Sequence, residues 1–405
     1  MQHIPSFLDP AAQHLRLDAG TWPISNRFLA HPHEPQEHHA FVLAQCQRSG
    51  LLYLSTPFPA TSLVPRFDWM TYNEPEAHLD ELVEQLHQRR GAAPGTVAGL
   101  SNKDDSTLER LERLGWTTWR PHPQAELGLP PHAGAESLQT FHPTMAEALL
   151  SQHPRVDMLV VRHVFEHVYD IPSFLEACRC LLAPGGQLVL EVPDCSRALS
   201  IRDYTTLWEE HTFYFTPETL EALLVHQGWR VDFSQGYPYP FEDSRVLLLT
   251  PVSSPSREPL TLAEPLRTPL LEQGVSFGAA LEPLRLHVRK VLESLAKGKA
   301  VAVMGAGHLT LTFLELFQLS DLVTCVLDDN PHKQGLYLPG AGLPILPSSR
   351  LLSHHDQPEL GLCLLGLNPM NEEKVVARQA AFVQRGGCFR SIFPISSRAL
   401  YGRAT

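Results

Sequence analysis

Short apolar strands alternate with helices of about ten residues in two separate stretches of this 405-residue chain. In the first stretch, strand-like runs at 96–101, 156–162 and 187–192 are separated by helical patterns. The second stretch repeats the alternation between 300 and 384. Strands joined by helices indicate βαβ units and a parallel sheet, so the sequence predicts an α/β protein with two such domains.

Proline-rich segments mark the borders of these stretches. Residues 251–265 contain four prolines and several serines, which is typical of a linker. Proline also divides the first 75 residues into short pieces around one strand-like run at 41–54. The predicted organisation has four parts: a small N-terminal domain at 1–75, an α/β domain at 76–250, a linker and helix at 251–298, and a second α/β domain at 299–405.

Charge and composition exclude several function classes. The net charge of −12 disfavours a nucleic acid or an anionic membrane surface as partner, because phosphate binding needs clustered Lys and Arg. No apolar run approaches the roughly 20 residues that span a bilayer, and the N-terminus does not resemble a signal peptide. The seven cysteines lack CxxC spacing, which is typical of free thiols in a reducing compartment. We therefore expect a cytoplasmic protein with a small-molecule substrate.

The loop after the first strand ends in two carboxylates. Asp104 and Asp105 stand at the start of a helix, where Ser106 and Glu109 have the spacing of a capping box. Ligands bind at the carboxyl ends of strands in doubly wound sheets, and acids there repel a phosphate but tolerate a cationic ligand. S-adenosylmethionine, with its sulfonium and ammonium groups, would suit this loop. The alternative is that both acids only favour the helix start.

A second polar segment, RHVFEHVYD at 162–170, directly follows a strand with the pattern of a buried one. It places His163 and Glu166 at the carboxyl end of that strand, where a ligand would lie. The strand, polar turn, helix and Pro-Gly-Gly that surround it make this the most specific signal in the chain. The alternative is a capped helix start with exposed polar groups.

A third segment, WEEHTFYFTP at 208–217, joins a carboxylate to an imidazole among aromatic residues. Glu210 beside His211 can tune a general base near neutral pH. A histidine beside acids also occurs as plain surface polarity, and that alternative stays open from this segment alone.

The C-terminal α/β domain opens with GAGHLT at 305–310, which begins like a dinucleotide-binding loop. Thr310 stands where a third small residue is required, so the match is weak. The following strand ends in Asp328 and Asp329, which can meet a ribose hydroxyl. A nicotinamide-dependent oxidoreductase is the function class that this loop alone would indicate.

In this order, the segments resemble the sugar C-methyltransferases that act on nucleotide-linked keto-sugars. The resemblance begins near PISN at 23–26, continues through 162–231 and is strongest at DDNPHKQG (328–335) and LPG (338–340). It implies a zinc-bearing N-terminal domain, a class I methyltransferase core with a Rossmann-like fold, and a C-terminal Rossmann-like domain. It also implies S-adenosylmethionine as the cofactor.

The resemblance implies roles for particular residues. The family's Y-x-E-H motif maps onto 208–211, so His211 would remove a proton beside the keto group and Glu210 would orient it. The residues implied to bind the cofactor are Gly99, Ser101, Asp104, Asp105, His163, Phe165 and Glu166. The residues implied to bind the nucleotide-sugar substrate are Tyr72, Trp208, Gly305, Gly307, His308, Asp329 and Lys333.

Several positions depart from the family pattern. Only Cys46 remains of a C-x-x-C-G zinc motif, because Ser49 takes the second place, so we expect no bound metal. Arg120 stands where an acid would bind the adenosine ribose, and Trp208 replaces the motif tyrosine. These changes would also suit a binding or scaffold protein that has lost its cofactor. Methylation of oxygen or nitrogen is a further alternative.

Overall fold

The computed structural model describes residues 4–12, 14–67, 69–70, 74–91, 93–131, 133–353 and 358–401. The strands in these residues are β1 His14–Pro23, β2 His38–Cys46, β3 Leu52–Leu54, β4 Thr96–Gly99, β5 Thr117–Trp119, β6 Val156–Arg162, β7 Leu182–Asp194, β8 Phe213–Tyr214, β9 Trp229–Tyr237, β10 Asp243–Pro251, β11 Ala300–Met304, β12 Val323–Leu327, β13 Tyr337–Leu338, β14 Leu343–Leu346, β15 Leu360–Leu365 and β16 Cys388–Ser391.

The α-helices in the same residues are α1 Ala60–Leu63, α2 Leu79–Arg89, α3 Asp105–Arg113, α4 Pro143–Leu150, α5 Ile171–Leu181, α6 Ser196–Ile201, α7 Pro217–His226, α8 Glu264–Ala296, α9 His308–Phe317, α10 Glu372–Arg378 and α11 Ala380–Gln384. Short 3₁₀ helices cover Asn102–Asp104, Ala135–Thr140, Phe165–His167, Tyr204–Thr206, Ser348–Leu352 and Pro369–Asn371. No helix in the described ranges has the length and apolar character that a membrane crossing requires.

The chain divides into two compact units. Unit 1 comprises Met1–Leu15, Ala44–Ser196 and Glu210–Leu271. Unit 2 comprises Arg16–Leu43, Arg197–Glu209 and Glu272–Thr405. Residues of the segment 1–75 thus occur in both units.

Unit 1 is built on a six-stranded sheet with the order β5-β4-β6-β7-β10-β9. Strands β5, β4, β6 and β7 run parallel, and β10 pairs antiparallel with both β7 and β9. The chain leaves β4 first to one side and then to the other, so the topological switch point lies between β4 and β6. The predicted α/β class is confirmed, and the switch point fixes where a ligand crevice is expected.

Strand β6 shows why this sequence forms a central strand. Six of its seven residues are buried, and only Asp157 is partly exposed. Met158 and Val160 belong to one apolar cluster, while Leu159 and Val161 belong to another. A strand covered on both faces requires such a continuous apolar run. The strand ends at Arg162, whose charged side chain is also buried, and the candidate site begins at this residue.

Unit 2 carries its own six-stranded sheet with the order β13-β14-β12-β11-β15-β16. All neighbouring pairs are parallel except β13 with β14. Here the switch point lies between β11 and β15, and the loop 305–307 leaves β11 at that point. The second predicted α/β domain therefore has the doubly wound topology.

The structure differs from three local expectations. The capping box forms between Ser101 and Asp104 at the 3₁₀ helix, whereas the Ser106 hydroxyl donates to Glu76. The predicted alternation up to residue 384 ends in two short helices, α10 and α11, which are separated at Gln379. The antiparallel pair β9 and β10 was not predicted.

Candidate active site

The loop after β4 is held from inside the protein by Asp104. One oxygen of this fully buried carboxylate accepts hydrogen bonds from the amides of Leu100 and Ser101, both at 2.8 Å, and the other accepts from the Arg162 amide at 2.8 Å. A Cβ on Gly99 would lie 2.6 Å from the Asp104 Cβ. Asp104 therefore ties β4 to β6 and presents no atom to a ligand.

Burial raises the pKa of Asp104 to about 6, although the amides of Ser101 and Leu100 and the charge of Arg162 oppose this shift. The neighbouring Asp105 is different, because its side chain is 43% exposed. Its carboxylate forms an ion pair with the Arg120 Nε at 2.5 Å. Arg120, which follows β5, thus carries a charge that Asp105 neutralises.

A buried network of charges covers the carboxyl ends of β6 and β7. The Arg162 Nε lies 2.5 Å from one Glu191 oxygen, and the His163 Nε2 lies 3.2 Å from the other. The Lys103 Nζ forms an ion pair with Glu74 at 2.7 Å. Because these side chains alternate in sign, each buried charge has an opposite partner, as a dry interior requires.

Two histidines of this region have opposite charge states at neutral pH. Burial would lower the pKa of His163, but Glu74, Glu166 and Glu191 outweigh it and raise the pKa to about 10. Burial and the nearby Lys103 lower the pKa of His167 well below its ordinary value. His163 is therefore a cation and His167 a neutral imidazole.

Glu166, His167 and His211 form a second, compact cluster. All three are buried, and each offers a ligand atom within 4.8 Å of the others. Hydrogen bonds of Thr212 to the two carbonyls of the first segment hold this spacing: its amide donates to the Glu166 carbonyl at 2.7 Å, and its hydroxyl donates to the His167 carbonyl at 3.1 Å. The Glu210 carbonyl lies 2.9 Å from the His167 Nδ1.

The predicted residues of unit 1 thus fall into distinct environments. His163, Glu166, Glu210 and His211 lie together beyond the ends of β6 and β7 and are 2–7% exposed. Phe165 instead stacks on Phe215 in the apolar core, with ring centroids 5.4 Å apart. The predicted Tyr72 lies outside the described residues.

In unit 2, the loop after β11 also depends on an aspartate. The Ala306 amide donates to Asp328 at 2.9 Å, and the Lys333 Nζ donates to the Ala306 carbonyl at 2.6 Å. Gly305 has φ +104°, and a Cβ there would lie 2.6 Å from the Gly366 carbonyl oxygen. Gly307 has no atom within 4 Å of its Cβ position, so the loop is open there.

The other predicted residues of unit 2 divide in the same way. Trp208 stacks on His308, with ring centroids 4.5 Å apart and planes at 23°. Asp329 accepts hydrogen bonds from the amide and the hydroxyl of Ser348, both at 2.9 Å. Lys333 also contacts Asp328 at 3.1 Å. Asp329 and Lys333 therefore stabilise the fold around the loop, while Trp208 and His308 form an aromatic pair.

Sequence reasoning missed four members of the unit 1 site: Glu74, Lys103, His167 and Glu191. A signal existed for Glu191, because a lone acid stands within the apolar run of β7 just as Arg162 ends the run of β6. Charges inside neighbouring buried strands indicate an ion pair. Glu74 gave no such signal, since it lies in no periodic segment.

Comparison with known proteins identifies both halves of the chain. The model of the methyltransferase domain matches residues 28–232, which is half of the chain, and the model of the C-methyltransferase C-terminal domain matches 271–395. The C-methyltransferase NovU of Streptomyces niveus is 26% identical over 336 residues, which cover 78% of this chain and 76% of NovU.

Two other similarities are shorter or weaker. The human mitochondrial ubiquinone biosynthesis O-methyltransferase is 34% identical over 99 residues, which cover 21% of this chain and 26% of that protein. The 1,6-didemethyltoxoflavin-N1-methyltransferase of Burkholderia thailandensis aligns with a TM-score of 0.31 and 17% identity, covering 44% of this chain and 80% of that one.

With an α/β core, a polar site at its switch point and both family domains in order, the chain belongs to the methyltransferase family, as an S-adenosylmethionine-dependent C-methyltransferase.

Proposed function

We propose that this enzyme methylates a carbon beside the keto group of a nucleotide-linked sugar, with His211 as the general base. A carbonyl acidifies the neighbouring C–H bond, and a positioned base can then remove the proton. The resulting enolate carbon is the nucleophile. The resemblance of the 208–211 segment to the Y-x-E-H motif and the similarity to a C-methyltransferase support this choice of substrate.

The residues at the switch point of unit 1 fit S-adenosylmethionine in charge. Glu74 is 19% exposed and Asp105 is 43% exposed, so both offer carboxylate surface at the carboxyl edge. His163 and Lys103 lower the pKa of Glu74 against the effect of burial, which keeps it ionised. We propose that the Glu74 and Asp105 side chains hold the cofactor, which supplies an electrophilic methyl group on a sulfonium.

The placement of His211 carries the proposal. Its ring lies in a buried cluster with Glu166 and His167, and the His167 ring is 4.9 Å away, nearly perpendicular. His211 is 7% exposed, so a small part of it remains accessible to a substrate. A carboxylate close to an imidazole stabilises the imidazolium that forms when the base takes a proton. Glu210 contributes through its carbonyl, which holds His167 in place.

For the nucleotide part of the substrate, we propose the aromatic pair of Trp208 and His308 in unit 2. An aromatic surface is suited to stacking on a nucleobase, and a glycine loop at a helix N-terminus is suited to a pyrophosphate. Gly307 is the N-cap of α9, and no atom lies within 4 Å of its Cβ position. Asp329 and Lys333 then act by supporting the loop.

The same proposal includes the cytoplasm as location and excludes a nucleic acid as partner. None of the seven cysteines, all of which the structure describes, forms a disulfide, which suits a reducing compartment. The net charge of −12 opposes the binding of a polyanion.

The test uses methyl-labelled S-adenosylmethionine and a panel of nucleotide-linked keto-sugars. We expect a new carbon-bound methyl group by NMR, and exchange of the adjacent C–H with D₂O that requires His211. His211→Gln should lower both by at least about 100-fold, whereas the matched variant His226→Gln, outside the site, should not. A methyl group on oxygen or nitrogen would contradict the proposal.

A further inference from the structure

The cluster of Glu166, His167 and His211 has a feature that proton abstraction does not use. Three side chains from two chain segments offer one nitrogen or oxygen each, and these ligand atoms lie within 4.8 Å of one another. A general base needs one imidazole, and one carboxylate is enough to orient it. Two imidazoles and a carboxylate in this arrangement match the ligand set of a borderline transition metal.

The tautomer of His167 supports a metal. Its Nδ1 lies 2.9 Å from the Glu210 carbonyl oxygen, which can only accept, so Nδ1 carries the proton. Nε2 is then the nitrogen that carries the lone pair, as a metal ligand requires. Metal-binding histidines are commonly held in this way, with the second nitrogen donating to a carbonyl that fixes the ring.

Glu166 gives a second, independent indication. Its Oε1 lies 3.5 Å from the His163 Nδ1, whereas its Oε2 is buried without a hydrogen-bond partner among the described residues. A buried carboxyl oxygen without a partner is costly, and a bound cation would satisfy it. The His163 cation faces Oε1, and Lys103 and Arg162 are paired with Glu74 and Glu191, so Oε2 is the Glu166 oxygen that a bound ion would satisfy.

We propose that Glu166, His167 and His211 bind one divalent transition-metal ion of the Zn²⁺ class, and that this ion inhibits methyl transfer while it is bound. The two hydrogen bonds of Thr212 hold the ligand residues at this spacing without a bound ion. The inhibition rests on the proposed role of His211, because the metal takes the lone pair that would accept the substrate proton. Binding itself does not depend on that role.

Binding is tested on the full-length protein after removal of metals with a chelator. Titration with Co²⁺ should give saturable d–d absorption with one ion per chain, and Zn²⁺ should abolish it. Glu166→Gln and His167→Gln should each weaken binding by at least about 100-fold, because even an outer-shell loss costs about 10- to 100-fold. The matched control His142→Gln changes an exposed histidine of unit 1 and should bind like the wild type.

A wild-type protein without saturable Co²⁺ absorption would overturn the site, and this readout does not depend on whether any variant folds. Unchanged affinity in both folded ligand variants would overturn it as well. The inhibition is tested with the acceptor from the labelled-methyl screen: stoichiometric Zn²⁺ should slow transfer at least about 100-fold and a chelator should restore it. Stimulation by Zn²⁺ would refute the inhibition, and a failed acceptor screen would count against the proposed function alone.

Discussion

Units 1 and 2 both hold the loop after their first core strand with an aspartate, but they do so differently. In unit 1, Asp104 comes from the turn after the loop, is fully buried and accepts three backbone amides. In unit 2, Asp328 comes from the end of the neighbouring strand and accepts two amides, of Ala306 and Asn330, while Lys333 shares its charge.

The difference concerns which backbone groups remain for a ligand. In unit 1 the loop amides of Leu100 and Ser101 donate to Asp104, so a ligand there must be bound by side chains such as Glu74 and Asp105. In unit 2, the half of the loop at Gly307 has no heavy atom close to its Cβ position. A glycine-containing loop after the first strand is therefore not by itself a sign of backbone recognition; the position of the supporting carboxylate decides it.

The largest expected effect comes from removing the acceptor of unit 1. Asp104→Ala leaves three buried amides without a partner, so we expect the free energy of unfolding to fall by about 4 kcal/mol in urea denaturation. Asp105→Ala is the matched control and should cost less than about 1 kcal/mol, because its ion pair with Arg120 is partly exposed. Equal losses in the two variants would show that Asp104 does not hold the loop.

A smaller effect should separate the two glycines of unit 2. Gly305→Ala places a Cβ 2.6 Å from the Gly366 carbonyl at φ +104°, so we expect a loss of about 3 kcal/mol. Gly307→Ala meets no atom within 4 Å and should change the unfolding free energy by less than about 1 kcal/mol. Thermal and urea unfolding measure both variants, and a reversed order would contradict the described loop.

The smallest effect is a pH dependence in unit 2. Burial raises the pKa of Asp203 to about 6 from 3.8, against hydrogen bonds from Thr205. A carboxyl whose pKa is higher in the folded state stabilises the protein below pH 3.8, and that contribution is lost as the pH rises to about 6. Between pH 3.8 and about 6 this carboxyl should lower the free energy of unfolding of the wild type by on the order of 2 kcal/mol. Asp203→Asn should lack this decrease when urea unfolding is measured at both pH values. Parallel pH profiles of variant and wild type would speak against it.

The sequence predicted the local elements well because apolar periodicity reports burial directly. Strand β6 has the predicted bounds, β4 ends two residues before the end of the predicted run 96–101, and β7 extends beyond both ends of the run 187–192. The pairing of β3 with β8 could not be predicted, because it joins Tyr53 to Phe213, which are far apart in the sequence. Pairing across such a distance depends on the folded sheet and leaves no local pattern.

The residues of the candidate site also divide into those with a local sequence pattern and those whose partners are distant in the sequence. His163, Glu166 and His211 could be named because each follows a strand or lies in a short motif. The ion pair of Arg162 with Glu191 and that of Lys103 with Glu74 join distant segments, so their partners become visible only in the folded protein. Asp104 was expected at the ligand surface, and in the structure it supports the backbone instead.

Calorimetric titration with S-adenosylmethionine tests the central claim that unit 1 holds the cofactor through side chains. The wild type should bind with a micromolar dissociation constant, and the His308→Ala variant of unit 2 should bind equally well. Asp105→Asn should weaken binding by at least about 10-fold, because it removes a carboxylate and leaves the Arg120 charge to repel a cationic ligand. Absence of wild-type binding, or a loss confined to the His308 variant, would contradict the account.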